Sequence, residues 1–288
     1  MMTIRTTTLA VCTVLCHVGV LTAQGQTRFI RFLDGDAPTR LNVLNELKRA
    51  GPATLDLNDL KLTLQASLKD SAAEVRRHGC YVVYGRALRV SSDTALQRGA
   101  VPASFGAEQQ MLVSLSSDVE AGLADEVTAV REACVSAISA LGMEGPYGPQ
   151  RHLGTATAKI LVHRYDVEPD GAIRGALIHG LARGRVDDVA LVRSALLRAL
   201  QDANGYARQM ARIGVGEYRL TEAIPNLIAG LDDALASTRL DSARALAQIG
   251  SAARAHVDVV KQRLRDERDP VVRTELQRAV VALSANAR

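Results

Sequence analysis

The chain has 288 residues, 47% of them apolar and 23% charged, with no polar low-complexity tract, a composition that folds and excludes disorder. Its net charge of +4 is dispersed over 30 Arg and 5 Lys, with no basic cluster interleaved with stacking aromatics, so no nucleic-acid partner is expected. Aromatics are 3% and Trp is absent, leaving Ala, Leu and Val to fill the interior, which suits closely packed helices better than a sheet.

In chain order, the first element reads as an export signal. Arg5 supplies a positive start, Leu9 to Leu21 is mostly apolar, and Leu21-Thr22-Ala23 offers a small residue before Gln24 for cleavage. Residues 1–23 are therefore expected to be a signal peptide, placing the mature chain in the periplasm or outside the cell. The apolar run is short for a bilayer, so no stable span is expected after cleavage; the alternative is an uncleaved N-terminal membrane anchor. Val11 before Cys12 and Leu15 before Cys16 do not fit a lipoprotein cleavage box. Export permits a disulfide between the two remaining cysteines, Cys80 and Cys134. Adjacent helices lie about 8–10 Å apart, however, while a bridge needs Cα atoms within about 7 Å, so two buried thiols are expected.

From residue 28 onward one pattern recurs. Seven arginines each follow an acidic residue six positions earlier: Asp34/Arg40, Asp70/Arg76, Asp125/Arg131, Glu168/Arg174, Asp202/Arg208, Asp233/Arg239 and Glu267/Arg273. The arginines are 36, 55, 43, 34, 31 and 34 residues apart, enough for two short helices and two turns in each unit. Positions three, seven and ten after each arginine are mostly apolar or small, as in Cys134, Ile138 and Leu141, which is helical periodicity with one buried stripe. A Gly or Ser eleven residues after the arginine closes the clearest copies, 33–51, 123–142, 231–250 and 265–284. The acidic residue falls in the turn, where it can accept from helix-start N–H groups and pair with an arginine, forming a ladder along the stack. Two stretches rich in Gly, Pro and Ser, 91–106 and 143–154, break the period and read as loops, with Tyr147 and His152 the contact-capable side chains of the second.

The Leu-x-Asp…Val-Arg pattern followed by an Ala/Leu-rich helix and Gly resembles the HEAT-like repeat, particularly the short form of phycobilisome-lyase-type proteins. The resemblance spans about residues 30–288 with gaps and implies an all-α fold, an α-solenoid of about seven stacked helix pairs over 28–288. The family it resembles includes a di-iron hydroxylase branch whose ligands come as His-Glu dipeptides on paired helices. Here His78, His152, His163, His179 and His256 precede Gly79, Leu153, Arg164, Gly180 and Val257, so neither a metal nor another cofactor is expected. Gly171 and Gly175 beside Arg174 look like loosened helix starts, and no nucleophile elbow, phosphate-cradling loop or Cys-x-x-Cys is present.

No catalytic constellation emerges, and the expected function is a non-enzymatic scaffold engaging a protein or peptide through its concave face. An enzyme or cofactor carrier related to the bilin lyases or hydroxylases is the alternative. Positions one, five and eight after each arginine should face that groove, Lys48 and Ser136 among them, with Tyr81, Tyr84, His179, Arg244 and Arg278 as candidate contacts. The last unit has no obvious polar cap, which leaves Leu276, Val280 and Leu283 as candidates for partial exposure.

Overall fold

A computed structural model describes residues 23–51, 54–92, 103–144 and 152–285. The expected signal segment lies outside the described residues up to 22, as does Tyr147. The first units are built from α1 (Ala23–Leu33), α2 (Ala37–Arg49), α3 (Leu57–Leu68) and α4 (Ala73–Ser92). Next come α5 (Ala103–Val113), α6 (Ser116–Ala121), α7 (Thr128–Leu141), α8 (Thr155–Val167) and α9 (Gly171–Arg183). The array continues through α10 (Val189–Ala199), α11 (Gly205–Glu217), α12 (Ile224–Gly230), α13 (Ala236–Ile249), α14 (Val257–Asp266) and α15 (Pro270–Ser284).

These helices form seven consecutive pairs, the first partner of the third pair being split into α5 and α6. The second helices α2, α4, α7, α9, α11, α13 and α15 stack each on the next, as the repeat predicts for an all-α solenoid. Among the described residues no helix is long and apolar enough to cross a membrane.

Local chemistry sets the helix starts. Asp36, Asp170, Asn204 and Asp269 cap α2, α9, α11 and α15, each accepting from an N–H in the first turn, as in Ala172 N to Asp170 at 2.8 Å. The acidic residue two places before the helix start accepts that residue's N–H whether it is Ala72, Val127 or Leu235, bonded to Asp70, Asp125 and Asp233 at 2.8, 2.9 and 2.8 Å, or a capping Asp170, Asn204 or Asp269, bonded to Glu168, Asp202 and Glu267 at 3.1, 2.8 and 3.0 Å. Gly250 ends α13 with φ +71°, a conformation that favours glycine.

Four expectations need correcting. Cys80 and Cys134 are not thiols: they form a disulfide across α4 and α7 with Cα atoms 5.1 Å apart. The spacing of 8–10 Å is between helix axes; facing Cα atoms stand about 2.3 Å off each axis, which brings them to roughly 4–5 Å. The ends of the two insertions are not loops, since α4 runs to Ser92, α5 begins at Ala103, and β1 (Met143–Glu144) pairs antiparallel with β2 (His152–Leu153). Leu276 and Leu283 are buried, because α13 and α14 cover that side of α15, while Val280 is partly exposed as expected. Gly171 and Gly175 are sites of close approach: a Cβ there would run into Asn204 and the Tyr206 ring of the next unit.

Candidate functional site

The recurrent arginines tie unit to unit along the turn edge. Arg76 Nε and Nη2 grip the Asp125 carboxylate of the following unit at 2.6 and 3.0 Å, while Nη1 donates to the Asp70 and Ser71 carbonyls of its own turn at 2.8 and 3.1 Å. Arg131 holds Glu168 through Nε and Nη2 at 3.2 and 2.9 Å, Arg174 holds Asp202 at 2.8 and 2.9 Å, and Arg239 holds Glu267 at 2.7 and 2.9 Å. Arg40 Nε reaches Asp70 at 3.2 Å. The six-residue spacing thus brings Arg76, Arg131, Arg174, Arg208 and Arg239 to the backbone carbonyl of their own acidic residue, and where a carboxylate is paired it belongs to the next turn.

Geometry of this kind is charge-assisted and bidentate. Hydrogen bonds from the arginines hold Asp202 and Glu267 down at about 2. Among the described residues the ladder is interrupted once, where Arg208 keeps its bonds to the Asp202 and Ala203 carbonyls but makes no ion pair with Asp233. It has open ends at Asp34 and Arg273.

The second-helix face carries the candidate contacts. Tyr84 and His179 line one cleft of about 340 Å³ that spans α4, α7 and α9. Its surface is built from small side chains, Ser136, Ser139, Ala140, Ala176 and Gly180, with Leu88, Val135 and Met143 adding apolar area. Arg183 stands at its rim, exposed and without a partner among the described residues. Desolvation, followed by the neighbouring Arg183 charge, lowers the His179 pKa from its ordinary value. Its ring tilts toward Tyr206, with centroids 6.5 Å apart.

Tyr81 is not in this cleft; it is half-buried against the core with the Arg77 guanidinium 5.7 Å from its ring centroid. Arg244 and Arg278 lie two and three units beyond His179 and share the buried carboxylate of Glu275 at 3.4 and 2.7 Å. His152 sits on β2, its Nε2 3.8 Å from Glu144 and 3.6 Å from Asp187. Among the described residues no three His, Cys, Asp or Glu side chains are grouped to hold a metal.

Some functional-looking residues gave no sequence signal because they lie outside the repeat register. Arg86 and Glu108 form an ion pair at 2.6 Å, Arg86 only 1% exposed, and Arg86 also donates to the Leu47 carbonyl at 2.6 Å. Asp59, 2% exposed, accepts the Phe29 N–H at 3.1 Å and fastens α1 to α3. Arg183 was readable in principle: it follows Arg174 by nine residues, one beyond the positions assigned to the groove.

Residues 193–280 match the sequence profile of the HEAT repeats. The archaeal HEAT-like repeats protein from Thermococcus onnurineus NA1 is similar over 92% of this chain and 98% of its own, with 13% identity and a TM-score of 0.60. An engineered protein is similar over 78% of this chain and 96% of its own, with 16% identity and a TM-score of 0.55. No curated protein matches the chain in sequence. Residues 193–280 are thus HEAT repeats, and the described chain has the fold of a HEAT-like repeat protein. These likenesses do not extend to the phycobilisome-lyase subtype.

Proposed function

We propose that this chain is an exported, non-enzymatic scaffold that binds a protein or peptide across its second-helix face, the concave side of the solenoid. The observation that carries the reading is the cleft on that face, framed by three successive units and lined by Tyr84, His179 and Arg183, the last without a partner among the described residues. Tyr and Arg are the side chains that most often anchor protein interfaces, and repeat arrays use such extended surfaces for binding. Tyr81, Arg244 and Arg278 would extend the contact along the row.

Export is supported by the Cys80–Cys134 disulfide, a linkage that persists in oxidising compartments and is rare in reducing ones. The test is photo-crosslinking in cells from Ser136 and Arg278, followed by fractionation and mass spectrometry. A defined envelope or secreted partner, joined through these positions and lost on Tyr84→Ala with His179→Ala, is the expected result. Recovery of cytoplasmic proteins with residues 1–23 still attached would overturn the export reading. Iron or a covalent chromophore in the purified protein would favour an enzyme or cofactor carrier instead.

A further inference from the structure

We propose that the cleft between α7 and α9 is a subsite for one apolar side chain of an extended acidic segment of the partner, with Lys48 and Arg183 taking carboxylates on either side. This rests on the second-helix face being the binding face.

The cleft exists because the sequence withholds side chains there. Ser136, Ser139 and Ala140 on α7 face Ala176 and Gly180 on α9, and none is long enough to cross the gap. The space left, about 340 Å³, is at the small end of ligand pockets and suits a single anchoring side chain. Its exposed lining is mainly apolar, so the group it desolvates at least cost is itself apolar.

Charge selects what flanks that group. Lys48 lies beside Gly85 on α4, one unit before the cleft, and Arg183 stands at the α9 rim; neither has a carboxylate partner among the described residues. The ladder arginines and Arg244 and Arg278, by contrast, mostly have acceptors of their own. His179, whose protonation desolvation and the Arg183 charge disfavour, adds a hydrogen-bonding group. Acidic groups along this stretch are Glu74 on α4, paired with Arg77 at 3.5 Å, and Glu132, one turn before Ser136 on α7 and close enough to influence Tyr206. Lys48 and Arg183 therefore stand on either side of an apolar slot without carboxylate partners among the described residues, while Glu74 is taken up by Arg77. An acidic–apolar–acidic segment complements that row, and a basic one meets like charge at both ends.

The experiment measures fluorescence anisotropy of the oxidised mature chain with a short labelled peptide carrying a central phenylalanine between aspartates. The comparison peptides replace the phenylalanine by alanine or the aspartates by lysines. The acidic phenylalanine peptide is expected to bind at least about tenfold more tightly than either, the scale of one lost anchor. Arg183→Glu, a change at an exposed position that leaves the fold intact, is expected to reverse the preference toward the lysine peptide. Ser136→Trp is expected to fill the slot and abolish the phenylalanine advantage.

Equal affinity for acidic and basic peptides, no binding of any peptide, or an Arg183→Glu variant indistinguishable from the parent would overturn the proposal. Its failure is separable from failure of the binding face. Crosslinks from Ser136 and Arg278 to a defined partner would stand in the first case and vanish in the second.

Discussion

Asp59 illustrates how a single side chain can set the pH response of one end of the array. Its carboxylate is enclosed between α1 and α3, and burial raises its pKa from 3.8 to about 6 despite the bond from Phe29 N–H. A raised folded pKa means the native state holds the proton more tightly than the unfolded chain. The stability so gained is complete below about pH 4 and is lost as pH rises through 6. Asp59→Asn keeps an acceptor for Phe29 and removes the charge. It should match the parent at pH 4 and exceed it at pH 7.5 by on the order of 2–3 kcal/mol in urea melts; an equal gap at both pH values would contradict the assignment. The disulfide is the second residue-scale device. Removing it through Cys80→Ser with Cys134→Ser frees a separation of 54 residues, which chain-entropy reasoning puts at about 4 kcal/mol. The two cysteines were visible in the sequence, and so was their register, but their pairing was not. Whether neighbouring helices present facing or offset Cα atoms is a matter of a few ångströms of rotation that periodicity does not encode.

At the scale of the helix pair, the ladder makes a differential prediction. Arg174 and Arg239 each bind the next turn's carboxylate through two bonds and their own turn's carbonyls through two more. Arg208 keeps only the carbonyl bonds, and Arg273 has no following carboxylate. Truncation to alanine should therefore cost about 2–3 kcal/mol at Arg174 or Arg239, less than the full cost of breaking a deeply buried pair because the guanidinium edges are wet. Arg208→Ala should cost about 1 kcal/mol, and Arg273→Ala less than about 0.5 kcal/mol. Equal losses at all four positions would show that the carboxylate rungs are not what holds the units. Because Asp202 and Glu267 are depressed to about 2, their contribution is full above their unfolded values of 3.8 and 4.5 and disappears as pH falls toward 2. The recurrence of acid and arginine was legible because every unit repeats it. The identity of the partner carboxylate was not, since a spacing of six fits both a bond to the turn's own carbonyl and a bond within one unit.

For the whole molecule, stability in a stacked array is a sum over units and junctions, so the weakest junction decides where it opens first. That junction lies between α11 and α13. The Arg208–Asp233 rung is missing there, and Arg212 occupies the position, four after the repeat arginine, that Leu44, Cys80, Val135, Ile178 and Ala243 fill with apolar or disulfide-bonded side chains. Arg212 is 8% exposed, its Nε has no hydrogen-bond partner among the described residues, and burial pushes its pKa down. A buried, incompletely bonded guanidinium is costly, and replacing it by an unbranched apolar residue of similar length removes the cost. In native-state hydrogen exchange, α12 to α15 should open as a block below the free energy of α7 to α9, which the disulfide and the Arg131–Glu168 rung secure. Arg212→Met should raise the opening free energy of that block by about 1–3 kcal/mol and leave α7 to α9 unchanged. If the block opens no earlier than its neighbours, or if Arg212→Met leaves its exchange where it was, the missing rung and the buried arginine do not weaken the array.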